Sequence, residues 1–153
     1  MTSSPRTPAG EALTELVRDL FRVSSRMTTA GDRLVATIGL TSARWQIMGR
    51  MIAAGRPQPV AWLARDMGAS RQNIQRIIND LVRDGLVVFT PNPHHRRAHL
   101  VELTPKGRNA FDGAMALQAP WVDGLAEGLS TSDIETARKV VGVLQERLQS
   151  SES

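Results

Sequence analysis

The polar residues between positions 72 and 83 are of a narrow chemical kind, and they share one side of a helix. On a helical wheel Ile77, Ile78 and Leu81 fall within about 60° of Ile74, whereas Gln72, Asn79, Arg83 and Arg76 lie about 140–200° away. Arginine presents a fork of donors that suits guanine, and the amides of asparagine and glutamine suit adenine, so this stripe has the chemistry of a major-groove reader. Asp80 and Asp84 lie beside the stripe and do not interrupt it. A merely solvated helix face would mix glutamate with lysine for i,i+4 support. Neither residue occurs between Ser70 and Asp84.

The segment just before it is built to present such a helix. Ala64, Gly68 and Ile74 follow the spacing of a helix-turn-helix: a small residue where two helices cross, a glycine for the left-handed turn, and a branched apolar residue returning to the core. Trp62-Leu63 and Ile77-Ile78 complete that small core. An ordinary helical corner without a ligand has the same spacing; the polar stripe is what separates the two. Arg71, Gln72, Asn73 and Arg76 are expected to contact DNA near the N-terminal half of the helix. Asn79 and Arg83 are expected to meet backbone further along. Ser70 reads as the helix N-cap, with its amide available to a phosphate at the positive helix end.

A second basic feature is the loop Asn92-Pro93-His94-His95-Arg96-Arg97. Between two strands it forms a hairpin tip whose arginines, Arg96 and Arg97, suit a narrow minor groove where negative potential is concentrated. His94, His95 and His99 could instead suggest a metal, but no carboxylate or cysteine set accompanies them. No metal ligands and no cofactor are therefore expected. Catalysis is not expected either: there is no nucleophile–base pair, no carboxylate pair at useful spacing and no phosphate-cradling glycine loop.

Charge and composition agree. The chain of 153 residues carries 19 basic and 15 acidic side chains, net +4. Residues 44–97 hold nine arginines against three aspartates, so that segment is +6 and the remainder −2. Phosphate neutralisation is the commonest reason for such concentration. Cysteine is absent, which excludes disulfides, cysteine-bound zinc and thiol redox switches. No apolar run reaches the roughly 18 residues that span a bilayer, and the first ten lack a secretory core. A cytoplasmic setting without membrane contact is the expectation.

The elements needed to position these residues are legible in outline. Residues 1–10 read as a disordered arm. Leu13, Leu16, Val17, Leu20, Phe21, Met27, Leu34, Val35 and Ile38 recur at helical steps, predicting one long amphipathic helix to about Gly39, with Gly31 and Asp32 weakening it. Thr41 or Ser42 caps a second helix carrying Trp45, Met48, Met51 and Ile52. Residues 56–59 read as a turn, and two short helices follow over 60–67 and 70–84. Strands are predicted over 86–90 and 99–103, and Thr104-Pro105 starts a further helix. A last helix is capped by Ser130 or Ser132, and residues 150–153 are expected to fray. The fold class is mainly α with a small β-hairpin.

In this order the residues resemble the MarR family of winged-helix transcription regulators. The quotable pieces are Leu40-Thr41 with Trp45, Leu63-Ala64 with Gly68-Ala69-Ser70-Arg71-Gln72-Asn73-Ile74, Leu81-Val82-Arg83-Asp84-Gly85-Leu86-Val87, and Arg97-Ala98-His99-Leu100-Val101-Glu102-Leu103-Thr104-Pro105-Lys106-Gly107-Arg108. The resemblance covers about residues 13–148. It implies a winged helix-turn-helix over 41–104, flanked by dimerisation helices at 11–40 and 105–149. It further implies a homodimer on a pseudo-palindromic DNA operator, usually as a repressor, with half-sites about 10 bp apart. Release by a small aromatic or anionic effector is also implied. Arg26, Trp45 and Met48 are the effector candidates by their places near the helix junction, beside the plainer roles of core or solvated surface. The absence of cysteine excludes the oxidant-sensing mechanism of the family.

One departure matters. The family commonly has an aspartate two residues before the wing arginine; here His95 stands ahead of Arg97. Glu102 is the substitute partner if the hairpin register brings it close. A histidine beside phosphates is also expected to make DNA affinity depend on pH near neutrality. The rival reading from another class is a winged helix used only as a protein-interaction module, which predicts an apolar or mixed-charge outer stripe.

Overall fold

A computed structural model describes residues 5–152. The element order is α1 (Pro8–Val35), a 3-10 turn (Ala36–Ile38), α2 (Ser42–Ala54), β1 (Gln58–Pro59), α3 (Val60–Asp66), α4 (Arg71–Arg83), β2 (Val87–Thr90), β3 (Leu100–Leu103), α5 (Pro105–Ala126) and α6 (Thr131–Ser151). The three strands form an antiparallel sheet in the order β1-β3-β2. This is a winged helix-turn-helix inside a mainly helical chain.

The start of α1 corrects the expected arm. Thr7 Oγ1 accepts from the Gly10 amide at 3.0 Å, and Pro8 occupies the first helical position, where its missing N–H costs nothing. Residues 8–10 are therefore helical, while residues 1–4 of the expected arm lie outside the described residues. At the other end α6 runs to Ser151, so the fraying expected from residue 150 does not begin there. Ser150 Oγ and Ser151 Oγ donate to the carbonyls of Glu146 and Leu148. Each hydroxyl thereby finds its partner inside the helix.

Gly31 does not weaken α1; it admits α2. A Cβ on Gly31 would stand 2.5 Å from Ser42 Oγ. Among the described residues Ser42 is the one buried polar residue, and its needs are met by α1: Oγ donates to the Thr28 carbonyl at 2.8 Å, and its amide donates to Asp32 Oδ1 at 2.7 Å. Asp32 thus satisfies a free donor at the N-terminus of α2. Thr41 Oγ1 takes the Arg44 amide at 3.2 Å.

The core sits under the helix-turn-helix. Ile47, Met48, Leu63, Ile74, Ile78, Leu81, Val35 and Val87 are fully buried and come from α1, α2, α3, α4 and β2. Each contributes roughly 1.5–3 kcal/mol by leaving water. The segment expected as a plain turn at 56–59 instead supplies β1, where Gln58 pairs with Val101 and Pro59 with Leu100. Proline cannot donate to a ladder, and an edge position tolerates it. The chain divides into two compact units between Gln118 and Ala119. The first holds the elements from α1 to β3 and α5 as far as Gln118. In the second, α6 has no buried residue, and Leu125, Leu129, Ile134, Val140, Val143 and Leu148 lie exposed.

Candidate nucleic-acid interface

The candidate recognition helix is α4, and its local sequence explains its bounds. Ser70 Oγ accepts from the Asn73 amide at 3.2 Å, which fixes the start. Gly68, at φ +59°, makes the turn from α3 that a side chain would strain. Ile74, Ile77, Ile78 and Leu81 are buried, so the opposite side must face outward. Ser70, Arg71, Gln72, Asn73, Arg76, Asn79 and Arg83 are all exposed. The outer stripe of Gln72, Arg76, Asn79 and Arg83 is not apolar, and the acid beside it, Asp80, is paired with Arg83.

In the free chain these side chains hold one another. Arg76 donates to Asn73 Oδ1 at 2.8 Å, Gln75 donates to Asn79 Oδ1 at 3.0 Å, and Arg83 pairs with Asp80. All are exposed pairs worth a few tenths of a kcal/mol each, cheap to exchange for a ligand. Gln75 was missed in the sequence because it lies about 100° from Ile74, between the buried and outer sides. The structure brings it into one groove with Arg71, Gln72, Arg76, Asn79 and Asp80.

A second missed pair anchors the far end of α4. Arg44, at the start of α2, donates to Asp84 Oδ2 at 2.7 Å. That hydrogen bond holds the Asp84 carboxyl below its ordinary value, partial desolvation pushes the other way, and the charges of Arg44, Arg83 and Lys106 add to the lowering. Lys106 also donates to the Asp84 carbonyl at 2.9 Å. The C-terminus of α4 is tied to both α2 and α5.

The wing runs from Pro91 to His99 between β2 and β3, whose register pairs Thr90 with Leu100 and Val88 with Glu102. Arg96 and Arg97 are exposed at its tip. The register rules out Glu102 as the partner of Arg97. Glu102 borders a pocket with Arg56 and Arg108, whereas Arg97 borders a cleft with Arg71 and His95. Among the described residues no carboxylate lies within ion-pair distance of Arg97.

The effector candidates separate. Met48 is fully buried and serves the core, leaving no surface for a ligand. Trp45 is half-buried against that core, and Arg26 is exposed on α1. None of the three lines the grooves described beside α4, the wing or β3.

Fold and site together define a winged helix-turn-helix chain with an uncovered basic and amide-rich recognition helix. A profile of the MarR family matches residues 38–98. The chain is 30% identical over 128 residues to an uncharacterized protein of Mycobacterium tuberculosis H37Rv, covering 84% of this chain and 88% of the other. It is 34% identical over 113 residues to the transcriptional activatory protein BadR of Rhodopseudomonas palustris, covering 68% of this chain and 63% of BadR. Among solved structures, the transcriptional repressor CouR bound to a 23-mer DNA duplex superposes with a TM-score of 0.76 at 26% identity, covering 92% of this chain and 99% of that one. The protein belongs to the MarR family of transcription regulators.

Proposed function

We propose that this protein is a homodimeric, sequence-specific DNA-binding regulator that represses transcription from a pseudo-palindromic operator. The observation that carries the reading is the outward side of α4: Gln72, Arg76, Asn79 and Arg83 are exposed, flanked by Arg71 and Asn73, and backed by an apolar core. In this reading Gln72, Asn73 and Arg76 meet base edges and Arg71 beside them meets backbone, as do Asn79 and Arg83 further along, while the wing arginines serve the minor groove, Arg96 within it and Arg97 at its phosphate edge. The solved complex of CouR with a DNA duplex supports it. Residues 41–104 are assigned as the reading unit.

Dimerisation is assigned to residues 11–40 and 105–149. Its support is apolar surface that a lone chain leaves in water: Leu16, Phe21, Val23 and Met27 on α1, and the exposed apolar row of α6. Repression is favoured by CouR and opposed by BadR, whose name is that of an activator, so the sign of regulation is part of the proposal. Release by a small aromatic or anionic effector, with Trp45 and Arg26 nearby, completes it. No described helix is long and apolar enough to cross a membrane, which suits work on DNA in the cytoplasm.

The test is a gel shift of the purified protein on DNA upstream of its own gene at two salt concentrations, with the mass in solution measured by light scattering. A discrete band whose affinity falls steeply with salt, formed by a dimer, is the expected result. A monomer, or no band on any promoter fragment, overturns the reading.

A further inference from the structure

A cleft of about 350 Å³ separates the first turns of α4 from the wing. From α4 it is lined by Arg71 and Gln75, and from the wing by His95, Arg97 and His99. The remaining walls are apolar or backbone, from Pro59–Ala61, Phe89 and Ala98. Every charged or titratable group facing the cleft is therefore a guanidinium or an imidazole. No carboxylate lines it, and Glu102, the acid nearest in sequence on β3, faces another pocket.

The two imidazoles differ in their surroundings. The ring of His99 packs against Phe89 with centroids 6.0 Å apart. His95 is fixed through its backbone: its amide donates to the Asn92 carbonyl at 3.3 Å, and its carbonyl accepts from Ala98 at 3.2 Å. The side chains of both histidines are exposed, and the ring contact with Phe89 is what distinguishes His99. A cleft with two fixed cations and no anion is incomplete without one, and an arriving anion favours an added positive charge on a neighbouring imidazole. Histidine is the side chain that gains that charge between pH 5 and 8.

We infer that this cleft seats a backbone phosphate of bound DNA between Arg71 and Arg97, and that His95 takes up a proton as the phosphate enters. The inference rests on the DNA-binding reading above and adds its regulation: DNA affinity rises as pH falls. The proton comes from solvent and stays on the imidazole, so nothing else is consumed. The sign follows from linkage, because a complex that binds more protons than its parts is favoured by acid.

The experiment measures affinity by fluorescence anisotropy on a labelled duplex from upstream of the protein's own gene, at about pH 6 and about pH 8 and constant ionic strength. Affinity should fall by up to about tenfold per pH unit for each proton taken up. His95→Gln should flatten the profile, and His99→Gln should leave it. Calorimetry of the wild-type complex in two buffers of different ionisation enthalpy should report net proton uptake, which keeps the test decisive if His95→Gln binds poorly. Binding without pH dependence, a slope unchanged by His95→Gln, a slope abolished by His99→Gln, or zero proton uptake each overturns the inference while leaving DNA binding intact. No binding at either pH overturns the DNA-binding reading itself.

Discussion

Replacing Gly31 by alanine tests how α1 and α2 are joined, and the sign of its effect should depend on one hydroxyl. Alanine is favoured over glycine inside a helix by about 1 kcal/mol. Against this, the new methyl would lie 2.5 Å from Ser42 Oγ, well inside contact distance. The least costly relief is rotation of the Ser42 hydroxyl away from the Thr28 carbonyl, which it now meets at 2.8 Å. Ser42 is only 3% exposed, so the hydroxyl then stands unpaired in the interior, at a cost of about 1–3 kcal/mol. Gly31→Ala alone should therefore destabilise by up to about 2 kcal/mol. In a Ser42→Ala background the nearest atom is the Ser42 Cβ at 3.6 Å, an ordinary contact. There Gly31→Ala should stabilise by about 1 kcal/mol. Urea unfolding of the four proteins at one fixed concentration closes the cycle, with concentration held because association shifts apparent stability. The reasoning is refuted if Gly31→Ala has the same effect in both backgrounds to within about 0.5 kcal/mol.

Other outcomes follow from the interface and its supports. Arg76→Ala should weaken specific binding by about 1–3 kcal/mol and relax preference at one base pair, read by titrating operator variants; equal weakening on all DNA would contradict its role as a base reader. Arg97→Ala should instead lower the slope of log affinity against log salt by about 1 per chain, with sequence preference kept along most of the site. Asp84→Asn should lower the melting temperature at neutral pH. Because Arg44 holds the folded carboxyl below its ordinary 3.8, that stabilisation is present above 3.8 and lost as pH falls through the lower folded value. Wild type and variant should converge in strong acid, and a gap that persists there would show that the ion pair is not the cause. Leu148→Glu, at a side chain now 64% exposed, should shift the protein toward monomer by light scattering, and an unchanged mass would remove α6 from the dimer contact.

Much of the reading unit was legible because its signals are local. Ser70 as cap, Gly68 in the turn and the four buried apolar residues of α4 each act within a few residues, and the helix they predict is the helix observed. The misses have a common physical origin in partners remote along the chain. Arg44 and Asp84 are 40 positions apart, so nothing near either residue announces the pair. The strand β1 is two residues long, one of them proline, and exists only because β3 offers it an edge. Glu102 was a candidate partner for Arg97 until the pairing with Val88 fixed which side of the sheet it occupies. Met48 is apolar on a helix that sequence places near a junction, and only packing shows that it is fully enclosed. Gly31 and Asp32 looked like defects in α1 because the residue they accommodate, Ser42, lies in the next helix.

The seam between α1 and α2 has a mechanical consequence. Two hydrogen bonds and a contact with no room for a methyl group leave that joint little slack, while α2 packs in turn on α4 through a shared core. A long rod fastened in this way works as a crank. A rotation of α1 bears directly on α2 through that seam, and through α2 on the core it shares with α4.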